Sequence, residues 1–308
     1  MNIKDVLSDD ELRSLTTKSD LRGAWIVCCQ WALVIGIFAA VAYWTNPLTI
    51  LLAVILLGGR QLGFGVLVHE CGHRTLFATQ RLNDFVGEWV VGPPTFNNMK
   101  AYMRGHLEHH RRAGTPEDPD LPNYRDYPIT RSRLRRKLLR DLTGQTGWRT
   151  VRGIGRGLRN LGRLDPGARA SLLRGVAANA LMLGVMTACG APWLYLLWIV
   201  AFLVTNPMVS RIRQVAEHAA VPDLFDADPR RNTRTLRASW LERLVFCPHQ
   251  VNFHLEHHFL ASVPIYRLRA MHDLLGRKGF YEGVAFPRGY AQLLRQVTAR
   301  SGATAAAA

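Results

Sequence analysis

The chain has 308 residues, 48% of them hydrophobic, and a formal net charge of +16. Such a basic balance first suggests nucleic-acid binding, but no zinc-finger, RNP or homeodomain pattern is present, and the apolar residues gather in two long uncharged blocks with the arginines outside them. The five cysteines form no CxxC pair and no framework of a short secreted chain, so disulfides are not expected, and Cys28, Cys29 and Cys189 read as small apolar residues.

Residues 1–23 mix acids with bases and lack the apolar core of a signal peptide. Ser8 followed by Asp9, Asp10 and Glu11 predicts a capping box and a short cytosolic helix. From Arg22 to Arg60 there is no charged residue. A bilayer crossing needs about 20 residues of helix, so this block holds two spans, at roughly 24–44 and 48–68, divided at Thr45-Asn46-Pro47. Arg60 and Gln61 fall inside the second span, where an ionisable group is costly and faces protein or water, with Glu88 and Glu70 as candidate partners by sequence proximity. The second span ends in His69-Glu70-Cys71-Gly72-His73, and His106-Leu-Glu-His109-His110 follows after a short linker.

The run from Arg131 to Arg140 combines dense positive charge with leucines and predicts a helix on the membrane surface. Gly153, Gly155 and Gly157 do not have the spacing of a nucleotide loop. Between Arg174 and Arg211 a second charge-free block is divided by Gly190-Ala191-Pro192 into two more spans. Neither hairpin turn is charged, whereas Lys100–Arg174 and the segment beyond Arg211 are rich in arginine, which puts both termini and the central loop on the cytosolic side. The fourth span runs out into Gln214-Val-Ala-Glu-His218, and His254-Leu-Glu-His257-His258 lies in the cytosolic part that follows. His249 is a weak candidate for supporting that third group, His272 is expected to be structural and dispensable for turnover, and Ala303–Ala308 reads as a disordered tail.

Eight of the eleven histidines therefore sit in three tight groups. Positions three or four apart share one helix face, so each group aims its imidazoles at one point, and the span map brings all three groups and His218 to the same side of the bilayer. So many imidazoles exceed the needs of one metal, since a catalytic zinc commonly takes three protein ligands. Two metals are implied. Imidazole suits zinc, copper, iron and nickel alike, although an all-nitrogen pair within reach of a lipid is well suited to oxygen activation by iron. Carboxylates that orient such ligands are sought in Glu70, Glu108, Glu256, Asp118 and Asp120.

In order, spacing and placement against four spans, the boxes HECGH, HLEHH and HLEHH resemble those of the membrane fatty-acid desaturases, over roughly residues 24–275. The stretch from His109 to Pro122 is similar to the corresponding part of desaturases acting on fatty acyl or sphingolipid chains, and Val251–His258 with Val263-Pro264 extends the likeness. The resemblance implies an all-α integral-membrane fold of four transmembrane helices in two hairpins, with a cytosolic helical cap holding a di-iron site. It implies nine ligands: His69, His73, His106, His109, His110, His218, His254, His257 and His258. Members often carry asparagine four residues before the His218 position, contacting the metal through water; here Gln214 stands there, with one methylene more. The expected organisation is an N-terminal helix (1–23), a four-span domain with its cap (24–275) and a C-terminal segment (276–308).

The implied activity is O2-dependent introduction of a double bond into a fatty acyl or related lipid chain, at a cytosol-facing site of a multi-pass membrane protein. With no flavin, haem or iron–sulfur motif in the chain, the electrons must come from a separate small carrier of ferredoxin, rubredoxin or cytochrome b5 type, for which the basic face offers attraction. A lipid or carotenoid hydroxylase or ketolase shares spans, boxes and iron pair. An intramembrane HExxH zinc protease is the distant alternative; it lacks an acid between Gly175 and Ser210 to complete a zinc site and leaves six clustered histidines unexplained.

Overall fold

In the computed structural model, which describes residues 3–299, the chain is helical almost throughout. Helix α1 (Asp9–Thr16) starts at the Ser8 cap, where Ser8 and Glu11 make the reciprocal capping-box bonds. Two long apolar helices follow, α2 (Asp20–Tyr43) and α3 (Pro47–Gly72). The break between them has a local cause. Asn46 caps α3 by accepting from the backbone N–H of Leu48 and Thr49, and Pro47 occupies the first turn, where its missing N–H has no cost.

Short helical turns between residues 80 and 95 lead into α4 (Met99–Arg112), capped by Asn98. The basic run forms α5 (Arg131–Leu142), and the three glycines lie on α6 (Gln145–Arg159), an amphipathic helix. The second apolar pair is α7 (Pro166–Ala188) and α8 (Leu194–His218), the latter with a π-helical turn at Ala201–Thr205. α2, α3, α7 and α8 are each long and apolar enough to cross a membrane. At one end all four run past the uncharged blocks, α3 as far as Gly72, α7 from Pro166 and α8 as far as His218, because helix termination follows caps and turns and not the last apolar residue.

Two glycines let these helices meet. A Cβ on Gly58 of α3 would fall 2.2 Å from Thr205 Oγ1, and one on Gly147 of α6 would fall 2.3 Å from the carbonyl oxygen of Leu203. α3 thus touches the π-helical turn of α8 on one side while α6 lies across it on the other.

The remaining chain builds the cap: α9 (His254–Phe259), α10 (Leu268–Arg277) and α11 (Gly289–Gln296). Among the described residues one pair of strands occurs, β1 (Ile129–Thr130) and β2 (Thr298–Ala299), parallel, with Ile129 opposite Thr298. It ties the end of the described chain back to the start of α5. The core has two parts. Val34, Leu57, Phe64, Leu67 and Trp198 pack between the long helices, whereas Val209, Ile212, Leu255, Met271 and Leu293 pack beneath the cap. The histidine boxes lie where these cores meet. Residues 276–299 pack on the cap, and the alanine-rich end lies outside the described residues.

Arg60 is buried, but neither acid near it in sequence is its partner. Its guanidinium donates to Gln30 Oε1 (3.3 Å) and to the Leu244 carbonyl (2.5 Å), while Glu88 pairs with Lys100 and Arg174. Hydrogen bonding to neutral oxygens meets the demand of a buried donor without desolvating a second charge.

Candidate metal centre

The end of α3 points His69 and His73 away from the long helices, four residues apart on one face. α4 brings His106 and His110 to the same place, and His257 of α9 completes a group of five. His109, His218, His254 and His258 form a second group of four. Within each group the ligand nitrogens all lie within 4.8 Å of one another. All nine sequence-predicted imidazoles are thus gathered, with no outsider.

Helix periodicity explains the division. In each HLEHH box the first and last histidines, one turn apart, serve one group, while the histidine at the fourth position is rotated about 60° from the first and serves the other. The second box gives His106 and His110 to the group of five and His109 to the group of four. The third box does the reverse. The two boxes therefore interlock, each contributing to both groups.

The nitrogens converge as metal ligands do. Nε2 to Nε2 separations are 2.9 Å for His73–His106 and His218–His254, and 3.0 Å for His106–His110 and His110–His257. Ligands at right angles with bonds of about 2.1 Å stand about 3.0 Å apart. Such spacing among imidazoles fits a shared cation. Burial pushes the His254, His257 and His258 imidazoles well below their ordinary pKa, with neighbouring imidazoles adding to it, and His110 falls to about 3 for the same reasons. They remain neutral at physiological pH, the state in which a ring nitrogen offers a lone pair. The Nε2 of His69 is buried with no hydrogen-bond partner among the described residues.

Outer partners fix the rings. His69 Nδ1 bonds Glu70 at 3.0 Å, and Glu70 is itself held by the Thr75 hydroxyl and the Ile265 N–H. His109 Nδ1 bonds Asp118 at 2.8 Å; Asp118 also accepts from the hydroxyl of Tyr124, whose ring stacks on His218. Burial alone would raise the Asp118 carboxyl, but the His109 and Tyr124 hydrogen bonds outweigh it and hold the group below the ordinary value. His218 Nδ1 donates to the Asn232 carbonyl at 3.0 Å, whereas Glu217 stands 3.4 Å from His254 Nδ1 without a hydrogen bond to it. An Nδ1–H engaged in this way leaves Nε2 free to face inward.

Four sequence expectations change. Glu108 points outward, ion-paired to Arg111 and Arg112, because the position between the box histidines lies on the far face of α4. Asp120 stands 4.0 Å from His109, and Asp118 is the group in contact. Glu256 is fully buried but bonds none of the nine histidines: it accepts from His272 Nδ1 and Tyr281 OH, each at 2.5 Å, and from Thr235 Oγ1. It anchors the helix that carries the third box. His272, expected to be structural and dispensable, is linked to that box through Glu256. His249 bonds Gln30 at 3.1 Å and supports no ring of the cluster. Glu217 and Asn232 were missed. Glu217 beside Arg213 in i,i+4 spacing reads as a surface ion pair, and a backbone carbonyl such as that of Asn232 leaves no trace in sequence.

A cavity of about 520 Å³ reaches His69 from between α3, α6 and α8, and Tyr102, Arg213 and Gln214 are in its wall. Glu70 is occupied by three partners, which removes it from the role of free base that an HExxH protease requires.

A family model described as fatty acid desaturase matches residues 44–288. The chain is 26% identical over 267 residues to dihydrorhizobitoxine desaturase of Bradyrhizobium elkanii, covering 80% of this chain and 72% of that protein. It is 26% identical over 299 residues to an sn-1 oleoyl-lipid 12-desaturase of Picosynechococcus, covering 87% and 80%. A shorter stretch of 101 residues is 32% identical to zeaxanthin 4-ketolase of Chlamydomonas reinhardtii, covering 32% of this chain and 22% of that one.

Proposed function

Because the chain belongs to the fatty acid desaturase family, whose relatives are oxidoreductases, we propose that it uses O2 to introduce a double bond into a fatty acyl or related lipid chain, at two irons held by nine histidines. His69, His73, His106, His110 and His257 would hold one ion, and His109, His218, His254 and His258 the other. The observation that carries this reading is the division of the nine imidazoles into two groups at metal-ligand spacing. When bound, the iron pair supplies the oxidising power needed to break an unactivated C–H bond. Glu70, Asp118 and the Asn232 carbonyl hold the rings, and Gln214 lines the cavity on the second group's helix, where its amide can hold a water.

In the balanced reaction the substrate gives up two hydrogens, an outside donor gives two electrons, two further protons enter, and O2 leaves as two waters. The donor is a small carrier of ferredoxin, rubredoxin or cytochrome b5 type, drawn to the arginine-rich face around α4 and α5.

The four long helices span the membrane as two hairpins, with both termini and the irons on the cytosolic side, in one four-span domain (24–275) between the N-terminal helix and the C-terminal segment. Supporting this, α7 presents Leu181, Leu183 and Val185 outward, and Tyr43, Trp44 and Trp193 are exposed at the turns, as residues at a membrane interface would be.

Expression of wild type and His257→Ala in a host without desaturases, with a reductase and carrier supplied, tests the reading by mass spectrometry of lipid extracts. Loss of two hydrogens from acyl chains with wild type alone is the expected result; unchanged lipids would overturn it. Gain of one oxygen would instead establish the second reading, a hydroxylase or ketolase, which the likeness to zeaxanthin 4-ketolase favours over 101 residues.

A further inference from the structure

The amphipathic helix α6 lies across two of the long helices. A Cβ on its Gly147 would meet Leu203 of α8, and one on Gly157 would fall 3.0 Å from Leu172 Cδ2 of α7. Leu173 and Val176, next to the second contact, are exposed, so α6 is held at the level of the outward apolar side chains of α7. Thr146, Thr150 and Ile154, four residues apart, stand in the wall of the cavity that reaches His69.

Arginines fill the side of α6 turned away from the cavity. At about 100° per residue, Arg149, Arg152, Arg156 and Arg159 fall in one sector of about 80°, and all four are exposed. Arg163 follows in the short turn Leu161–Arg163, also exposed. No acid occurs between Asp141 and Asp165, and among the described residues none of these five guanidiniums has a hydrogen bond or an ion pair. α5 differs, since its Arg133 pairs with Asp126 and its Lys137 lies over the Tyr127 ring. Trp148 is exposed at the edge of the arginine sector of α6. Positive charge alone suffices to choose the side of a membrane; its alignment in a single stripe answers a different need.

Resting on the membrane reading above, we propose that α6 is a membrane-surface helix whose arginine stripe binds the phosphates of anionic phospholipids in the leaflet beside α7 and α8. A guanidinium meets a phosphate with two parallel N–H donors, and each arginine near an anionic surface strengthens attachment about fivefold. Trp148 suits the headgroup level, apolar in its ring and polar at its N–H. A soluble acidic partner would need the stripe clear of the bilayer, whereas the contacts at Gly147 and Gly157 hold α6 against the apolar lengths of the long helices. Lipids held by the stripe stand about 10 Å, one helix diameter, from the cavity.

The test uses the full-length protein in nanodiscs of mixed phosphatidylcholine and phosphatidylglycerol, with the lipids kept through gentle delipidation counted by mass spectrometry. Wild type is compared with Arg149→Gln/Arg152→Gln/Arg156→Gln and with Arg269→Gln/Arg277→Gln/Arg295→Gln, which removes the same charge from exposed positions of the cap. Thermal unfolding and iron content are measured on each. Wild type and the cap variant should keep phosphatidylglycerol over phosphatidylcholine by about tenfold, and the α6 variant should lose that preference with its unfolding temperature and iron unchanged. Raised salt should weaken the preference of wild type. No preference in wild type, or equal loss in both variants, overturns the proposal. So does slower reduction of the α6 variant by an acidic carrier with its lipid preference intact, which gives the stripe to the electron donor. Release of wild type from membranes by alkaline carbonate without detergent removes the membrane reading and the proposal with it. Retention of phosphatidylglycerol by a protein that desaturates no acyl chain keeps the stripe and removes the reaction.

Discussion

The pentapeptide His-Leu-Glu-His-His occurs twice, at 106–110 and 254–258, and the two copies sit in opposite surroundings. The first lies on the fourteen-residue α4, with Glu108 turned outward into ion pairs with Arg111 and Arg112. The second lies on the six-residue α9, with Glu256 at 0% exposure under donors from His272, Tyr281 and Thr235. The reason is length. A helix of four turns is set by its own hydrogen bonds and its N-cap, whereas a turn and a half cannot hold itself and needs outside contacts to fix its pitch and facing. The same glutamate is a surface residue in one copy and an anchor in the other.

The largest effect is expected at residues that serve both copies alike. His106→Ala or His257→Ala removes one ligand from the group of five, and turnover should be lost with iron falling below two per chain. Metal analysis beside product assay checks this, and full activity in either variant would break the interlocked arrangement of the boxes.

Next comes the difference between the glutamates. Glu256→Ala leaves three donors without their buried acceptor, and a cost of about 3–5 kcal/mol is expected, with loss of iron. Glu108→Ala removes solvent-facing ion pairs of about 0–1 kcal/mol and should leave iron and activity in place. Thermal unfolding of both variants in the same detergent measures the contrast; equal losses would show that the two boxes are supported alike.

A smaller effect, about 1–3 kcal/mol, is expected for His272→Phe, which removes one donor to Glu256 while Tyr281 and Thr235 remain. Iron binding should weaken more than the overall fold, because the change acts on the facing of α9. Full dependence of the site on the deeper anchors would appear as a far larger loss in Tyr281→Phe made in the His272→Phe background than in either alone. Arg111→Ala should be the mildest of the series, within about 0.5 kcal/mol in stability, with any change confined to reduction by the electron carrier and growing at low salt.

Much of this molecule was legible in one dimension. The charge-free blocks and the Asn-Pro and Gly-Ala-Pro breaks marked the existence of the four long helices and the turns that divide them, because helix length, hydropathy and capping are properties of neighbours along the chain, while the cytosolic ends of α7 and α8 run eight or nine residues past the second block. The spacing of the boxes likewise marked eight of the nine clustered histidines, since three- and four-residue intervals place side chains on one helix face whatever surrounds them, while His218 stands outside the boxes and was reached through the resemblance. The assignment of each histidine to its group of five or four depended on how α3, α4, α8 and α9 meet, and only the tertiary structure decided it. The partners of Glu70 at Ile265 and of Glu256 at His272 and Tyr281, and the neutral oxygens around Arg60, belong to the same class. Burial and pairing are set by residues far apart in sequence, 195 positions for Glu70 and Ile265, and no local pattern encodes which of two identical glutamates will be enclosed.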